Sequence, residues 1–154
     1  MSKRLSVLKY SQAMKPLFDF SAAVNDSSLE RPLIELVLFR VSQMNGCAYC
    51  LDMHSKDARA AGETEQRLYL VQAWREAPFY TERECAALAW AEAVTRLGDH
   101  GVPDDVYERA RASFSEEELI QLNLVVIMIN GWNRIAIPFQ SVPGHYQPAS
   151  KEAA

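Results

Sequence analysis

The sequence lacks most of what would mark it as secreted, fibrous or membrane-spanning. Cysteine occurs only three times in 154 residues, an odd and low count that fits poorly with a disulfide-stapled extracellular domain. Residues 1–24 carry Lys9, Lys15 and Asp19 inside any would-be apolar core, so no signal-peptide stretch is expected there. The longest strongly apolar run, residues 122–129, contains Asn123 and falls well short of the roughly 20 residues that a membrane helix needs. Positive charge is not in excess: 16 Lys plus Arg face 20 Asp plus Glu, for a net charge of -4. That balance gives no support to a nucleic acid or an anionic membrane as partner. No stretch alternates apolar and polar residues between turn signals, apart from ambiguous spots at residues 127–129 and 135–137. Repeats, low-complexity tracts and linkers are also missing. The expectation is a soluble cytoplasmic protein that binds neither nucleic acid nor membrane.

What is present is a chain of near-average globular composition, with 49% hydrophobic and 23% charged residues. Its length predicts one domain over residues 1–154, and the pattern reads as all-α. Ser28 is placed to cap a helix over residues 29–44, with Pro32 early in it and Gly46 ending it. A second helix is predicted from about Cys47 to Gly62, and a third from Glu65, capped by Thr64, to about Arg75 before Pro78. Thr81 with Glu84 forms a capping box that opens an alanine-rich helix to residue 97, before Gly98. Pro103, Asp104 and Asp105 start a short helix, and Ser115 with Glu118 forms a second capping box. The helix after it is predicted over residues 119–130 and stopped by Gly131; residues 138–154 are expected to be irregular. Residues 119–129 are apolar nearly all round, which places that segment in the core or in a contact between subunits.

Two of the three cysteines sit together as Cys47-Ala48-Tyr49-Cys50, with His54 four residues on. On one helix at about 100° per residue, Cys47, Cys50 and His54 share a face, and Cys50 and His54 are neighbours one turn apart. A thiolate, not a thiol, attacks peroxides and disulfides. A helix N-terminus beside Cys47 and a histidine beside Cys50 both favour that state. The spacing also lets the two sulfurs close a disulfide. Zinc is a competing reading, because Cys47, Cys50 and His54 would make an open three-ligand site; no second cysteine pair completes a structural one. Two inert buried cysteines are another.

Upstream, Glu35 stands in the apolar run Leu33-Ile34-Glu35-Leu36-Val37. Either it is buried for a purpose, where it could hold a histidine in one tautomer, or it pairs on the surface with Arg31, four residues back.

Glu35, eleven residues, Cys47-x-x-Cys50, three residues and His54 together resemble the E-x11-C-x2-C-x3-H motif of the AhpD-like alkylhydroperoxidases, in the carboxymuconolactone decarboxylase-like superfamily. The likeness runs over residues 35–97, and Trp132-Asn133-Arg134 resembles a feature of small single-motif members. It implies an AhpD-like helical bundle, a homo-oligomer (trimer or hexamer), and thiol-dependent reduction of hydroperoxides with no cofactor or metal. It implies that Cys50 is oxidised to a sulfenic acid, that Cys47 protonates the leaving group and then closes the disulfide, and that His54 and Glu35 relay protons. An external dithiol or a protein reductant, such as a peroxiredoxin partner, would restore the pair. Better-known members carry histidine where this chain has Tyr49. The alternative functions are a redox-sensing or scaffolding homo-oligomer without turnover, and a decarboxylase- or hydrolase-like activity.

Other residues read more plainly. Cys85 is expected to pack in the core. His100 reads as exposed, and His145 lies in the tail. Trp74, Trp90 and Trp132 are expected to fill core or interface, and Asp57 either orients His54 or lies on a solvated face.

Overall fold

Side-chain caps decide where several of the helices begin. In the computed structural model, which describes residues 4–148, Thr64 Oγ1 accepts from the Arg67 N–H, and Thr81 and Ser115 form complete capping boxes with Glu84 and Glu118. Each such cap holds the first turn by about 1 kcal/mol. Seven α-helices occur among the described residues: α1 Ser11–Asn25, α2 Arg31–Asn45, α3 Ala48–Ala60, α4 Glu65–Leu70, α5 Glu82–Thr95, α6 Asp104–Ser113 and α7 Glu116–Ala136. Short 3-10 turns at Val7–Tyr10 and Val71–Ala73 precede α1 and follow α4. The described residues hold no strand, only an isolated bridge between Gly98 and Gly101. The all-α expectation is borne out, and the spots at 127–129 and 135–137 are helical or helix-end.

Several expected boundaries move. Ser28 does not cap α2: its backbone N–H and hydroxyl both donate to Gln121 Oε1, and Glu30 takes the N-cap position without a side-chain bond. Pro32 still sits in the first turn of α2, and Gly46 ends that helix at φ 70, a left-handed position glycine takes without strain. Gly131 does not stop α7, which continues to Ala136. The helix there leans on α1, and a Cβ at Gly131 would find only Leu17 Cδ1 at 3.6 Å. The third predicted helix is α4 followed by turns, and α5 stops at Thr95, two residues short of the expected end.

Helix α1 has no counterpart in the sequence reading. Its N-cap, Tyr10, makes no side-chain bond, Pro16 lies inside it, and Val24 is its one buried residue. It is held from outside, by α7: Phe18 packs on Trp132 at 5.1 Å between ring centroids, and Trp132 Nε1 donates to Ser21 Oγ.

Helix α2 runs through the middle and packs against α3, α5 and α7. Seven consecutive residues from Leu33 to Phe39 are buried in it, Glu35 among them. Burying each of the apolar ones contributes about 1.5–3 kcal/mol. One side faces a core shared with α5 and α7, including Val37, Val41, Ala87, Leu122 and Val125. The other side packs Leu36 and Phe39 against Leu68, Val71, Trp74 and Leu88. Trp74 and Trp90 are buried, as expected. Glu92 ties the two sides together, accepting from Arg40 Nε, Trp74 Nε1 and Arg75 Nη1. By length and composition α7 could cross a membrane, yet 44% of its most apolar stretch is buried inside the fold, where it acts as a core helix.

Residues 141–148 of the tail are irregular, as expected. The expectation for residues 149–154 lies outside the described residues.

Candidate functional site

The turn between α2 and α3 builds the site. Gly46 bends the chain, the Cys47 N–H donates back to Ser42 O at 3.0 Å, and Cys47 becomes the N-cap of α3. Its backbone is extended (φ -85, ψ 96), so it is not on the helix, whereas Cys50 and His54 are. Cys47 and Cys50 are joined as a disulfide with Cα atoms 5.3 Å apart. Cys47 Sγ also accepts from the Cys50 N–H at 3.3 Å. Both residues are buried, at 1% and 2% exposure.

A polar ladder fixes this corner against α7. Buried Asn133 donates to Ser42 Oγ and accepts from Asn45 Nδ2, which also donates to Asn130 Oδ1; Asn130 Nδ2 reaches Thr95 Oγ1. Asn133 belongs to the Trp132-Asn133-Arg134 feature, and Ser42, Asn45 and Thr95 fall within the family-like span 35–97, but the sequence assigns none of them a role. The signal for Asn130 is its place three residues before Asn133 in an otherwise apolar segment.

Glu35 is 1% exposed, so it is buried and not on the surface, yet it pairs with Arg31 as well. Its Oε2 meets His54 Nδ1 at 3.1 Å, while its Oε1 forms an ion pair with the Arg31 guanidinium. A carboxylate only accepts, so Nδ1 carries the proton. In the neutral ring Nε2 is then the acceptor. Nε2 is buried and has no hydrogen-bond partner among the described residues.

An apolar-walled cleft of about 840 Å³ opens onto this corner. Cys50 and His54 line it, with Tyr49 and Met53 beside them and Phe18, Ile129 and Trp132 opposite; Cys47 does not. A volume of this size suits a small organic molecule. Trp132, expected in core or interface, is a half-buried wall of the cleft.

The remaining candidates fall elsewhere. Cys85 is half-buried on α5, where burial pushes its thiol up and its Sγ reaches Tyr80 O. His100 and His145 are exposed. Asp57 neither orients His54 nor lies on a fully solvated face: it lines the cleft and accepts from the Tyr146 hydroxyl. One donor atom each of Glu35, His54 and Asp57 lie within 4.8 Å of one another. Cys47 and Cys50, bonded to each other, are not zinc thiolates in this state.

Comparison with known proteins adds the following. Residues 11–93 match the model of the carboxymuconolactone decarboxylase family, a span that starts at α1 and so reaches beyond the expected motif region. The chain is 46% identical over 138 residues to the uncharacterised protein YdfG of Bacillus subtilis, covering 89% of this chain and 94% of that one. It superposes on the crystal structure of a protein of unknown function from Agrobacterium tumefaciens, for which an AhpD antioxidant-defence role has been suggested. There the TM-score is 0.87 and the identity 41%, over 97% of this chain and all of that one. The debrominase Bmp8, solved with 2,3,4-tribromopyrrole, shares the fold at TM-score 0.79 and 19% identity, over 89% of this chain and 73% of that one.

Proposed function

The chain belongs to the carboxymuconolactone decarboxylase family as an AhpD-like member, and from that premise we propose that it reduces organic hydroperoxides through the Cys47–Cys50 pair. The observation that carries this reading is that Cys50 and His54, one turn apart on α3, both line the apolar cleft, with Glu35 behind His54.

In the reduced protein, His54 Nε2 takes the proton of Cys50. The Cys50 thiolate attacks the outer peroxide oxygen, and the O–O bond breaks. The departing alkoxide takes the Cys47 proton and leaves as an alcohol, with Cys50 as the sulfenic acid. The Cys47 thiolate then attacks the Cys50 sulfur. The S–O bond breaks, and the hydroxide leaves as water with the proton from His54. The product is the disulfide, which an external dithiol or a protein reductant, such as a peroxiredoxin partner, returns to two thiols.

Two arguments bear on which sulfur reacts first. The N-cap position and the Cys50 N–H favour a thiolate at Cys47. Access favours Cys50, the member of the pair that lines the cleft. A substrate must reach the sulfur before acidity matters, so Cys50 is assigned the attack and Cys47 the closing step. Glu35, held by Arg31, fixes the His54 tautomer and stabilises the imidazolium that forms.

The decisive experiment is Cys50→Ser, assayed for consumption of tert-butyl hydroperoxide with a dithiol as reductant. Turnover is expected to vanish, and the parent protein is expected to lose two hydrogens and gain no oxygen when oxidised by one equivalent of peroxide. Undiminished turnover in the variant refutes the reading. Exposed Ile120 and Ile127 on α7 favour a second one, a homo-oligomer, trimeric or hexameric, whose disulfide state alters assembly. Oxidation-dependent assembly without turnover would select it.

A further inference from the structure

The C-terminal segment crosses α3 beyond Cys50, and α3 fastens it at three side chains, Asp52, Lys56 and Asp57. Gly144 N donates to Asp52 Oδ2 at 2.9 Å. Lys56 Nζ donates to Gly144 O at 3.4 Å and to Tyr146 O at 3.0 Å. The Tyr146 hydroxyl donates to Asp57 Oδ1 at 2.7 Å. The first two hold the outer edge of the strap. The third ends inside the site, because Asp57 lines the cleft and has an oxygen within 4.8 Å of donor atoms of both Glu35 and His54.

Asp57 lies three residues beyond His54 on α3, a spacing that sets two side chains next to each other. No hydrogen bond joins them. His54 Nδ1 goes to Glu35, Nε2 has no partner among the described residues, and Asp57 takes the phenol. Burial, with Asp57 and Glu35 nearby, pushes the Tyr146 phenol well up, so it is a permanent donor at neutral pH.

We propose that Tyr146 is a positioning residue for the redox site: its hydroxyl holds the Asp57 carboxylate off His54, so that the imidazole answers to one carboxylate, Glu35, and not to two. This rests on the proposed use of His54 as the base for Cys50. A second carboxylate against the ring keeps it protonated to higher pH, and a protonated ring cannot accept the Cys50 proton. The other charged or titratable groups around this corner are Arg31 and Glu35 from α2, Cys47 at the start of α3, Tyr49, Cys50, Asp52 and Lys56 on α3 itself, His145 on the strap and Arg4 at the cleft rim. The α7 wall adds none, being Met128, Ile129, Trp132, Ile135 and Ala136. Loss of the phenol hydroxyl releases Asp57 and leaves every one of those side chains in place.

The test uses full-length reduced protein in four forms: parent, Tyr146→Phe, Asp57→Asn and the double variant. Two readouts are taken, the pH profile of kcat/KM with tert-butyl hydroperoxide and the His54 imidazole titration by NMR. Tyr146→Phe is expected to move the acid limb of the profile, and the His54 titration with it, upward by about one pH unit. The double variant is expected to bring both back to the Asp57→Asn values. A Tyr146→Phe protein that melts lower with both curves unmoved overturns the proposal, as does a shift that persists in the double variant. The NMR titration needs no turnover. A shift reversed by Asp57→Asn in a protein that consumes no peroxide would therefore support the positioning role while the peroxidase reading fell.

Discussion

Replacing Glu35 by Gln tests the core of the proposed chemistry. The substitution keeps the shape of a side chain that is 1% exposed but removes its charge. In the parent, the carboxylate meets His54 Nδ1 at 3.1 Å in a buried setting. A hydrogen bond to a charged group contributes about 1.5–3 kcal/mol. If that stabilisation is expressed when His54 holds the Cys50 proton, its loss slows the reaction about 10-fold to 150-fold. The cost in stability should be much smaller. The other partner, Arg31, is 51% exposed and can turn its guanidinium to water. The amide can also still accept from Nδ1. Glu35→Gln is therefore expected to melt close to the parent while losing at least an order of magnitude in single-turnover oxidation of the reduced protein by tert-butyl hydroperoxide, followed by thiol loss. A variant that reacts within threefold of the parent refutes the role given to Glu35. A variant that fails to fold refutes the claim that Arg31 can be resolvated.

Two further predictions concern the scaffold. Burial pushes the Glu92 carboxyl up, but hydrogen bonds from Arg75, Trp74 and Arg40 outweigh that and leave it below its ordinary 4.5. A lowered carboxyl stabilises the fold above its unfolded pKa, and the contribution is lost as pH falls through the folded value. Glu92→Gln should thus cost about 2 kcal/mol at pH 7, or about 4–8 °C in Tm, with the gap to the parent closing below about pH 4; a gap unchanged down to pH 3 would contradict it. Gly131→Ala, inside α7 with only Leu17 Cδ1 near the new methyl, should stabilise the protein by about 0.5–1 kcal/mol in urea unfolding, and a loss of stability would show that α1 cannot yield there.

Most features that depend on residues within about four positions were legible beforehand, the exception being the cap expected at Ser28, whose hydroxyl is taken by Gln121, 93 positions away. The caps at Thr64, Thr81 and Ser115 and the turn at Gly46 act through the adjacent turn of chain, and each lies where it was read. Helix α1 was missed for the complementary reason. It has no cap, an internal Pro16 and one buried residue, and it stands because Trp132, 111 positions from Ser21, holds it. The stop assigned to Gly131 failed because glycine costs a helix only about 1 kcal/mol, less than the packing of a helix that sits in the core.

The site divides along the same line. The spacing alone put Cys50 and His54 one turn apart on one helix, but it also put Cys47 on that helix, whereas Cys47 is its extended N-cap. The sequence left Glu35 open between surface and interior. Only the tertiary structure decided that Glu35 is buried against His54, 19 positions away, while still touching Arg31. Only the tertiary structure made Cys50 the cleft-facing member of the pair, because the cleft's walls come from α1, α2, α3 and α7 together. The bond from Tyr146 to Asp57 spans 89 positions. No periodicity or propensity encodes such a contact; it exists because the assembled core returns the end of the chain to α3.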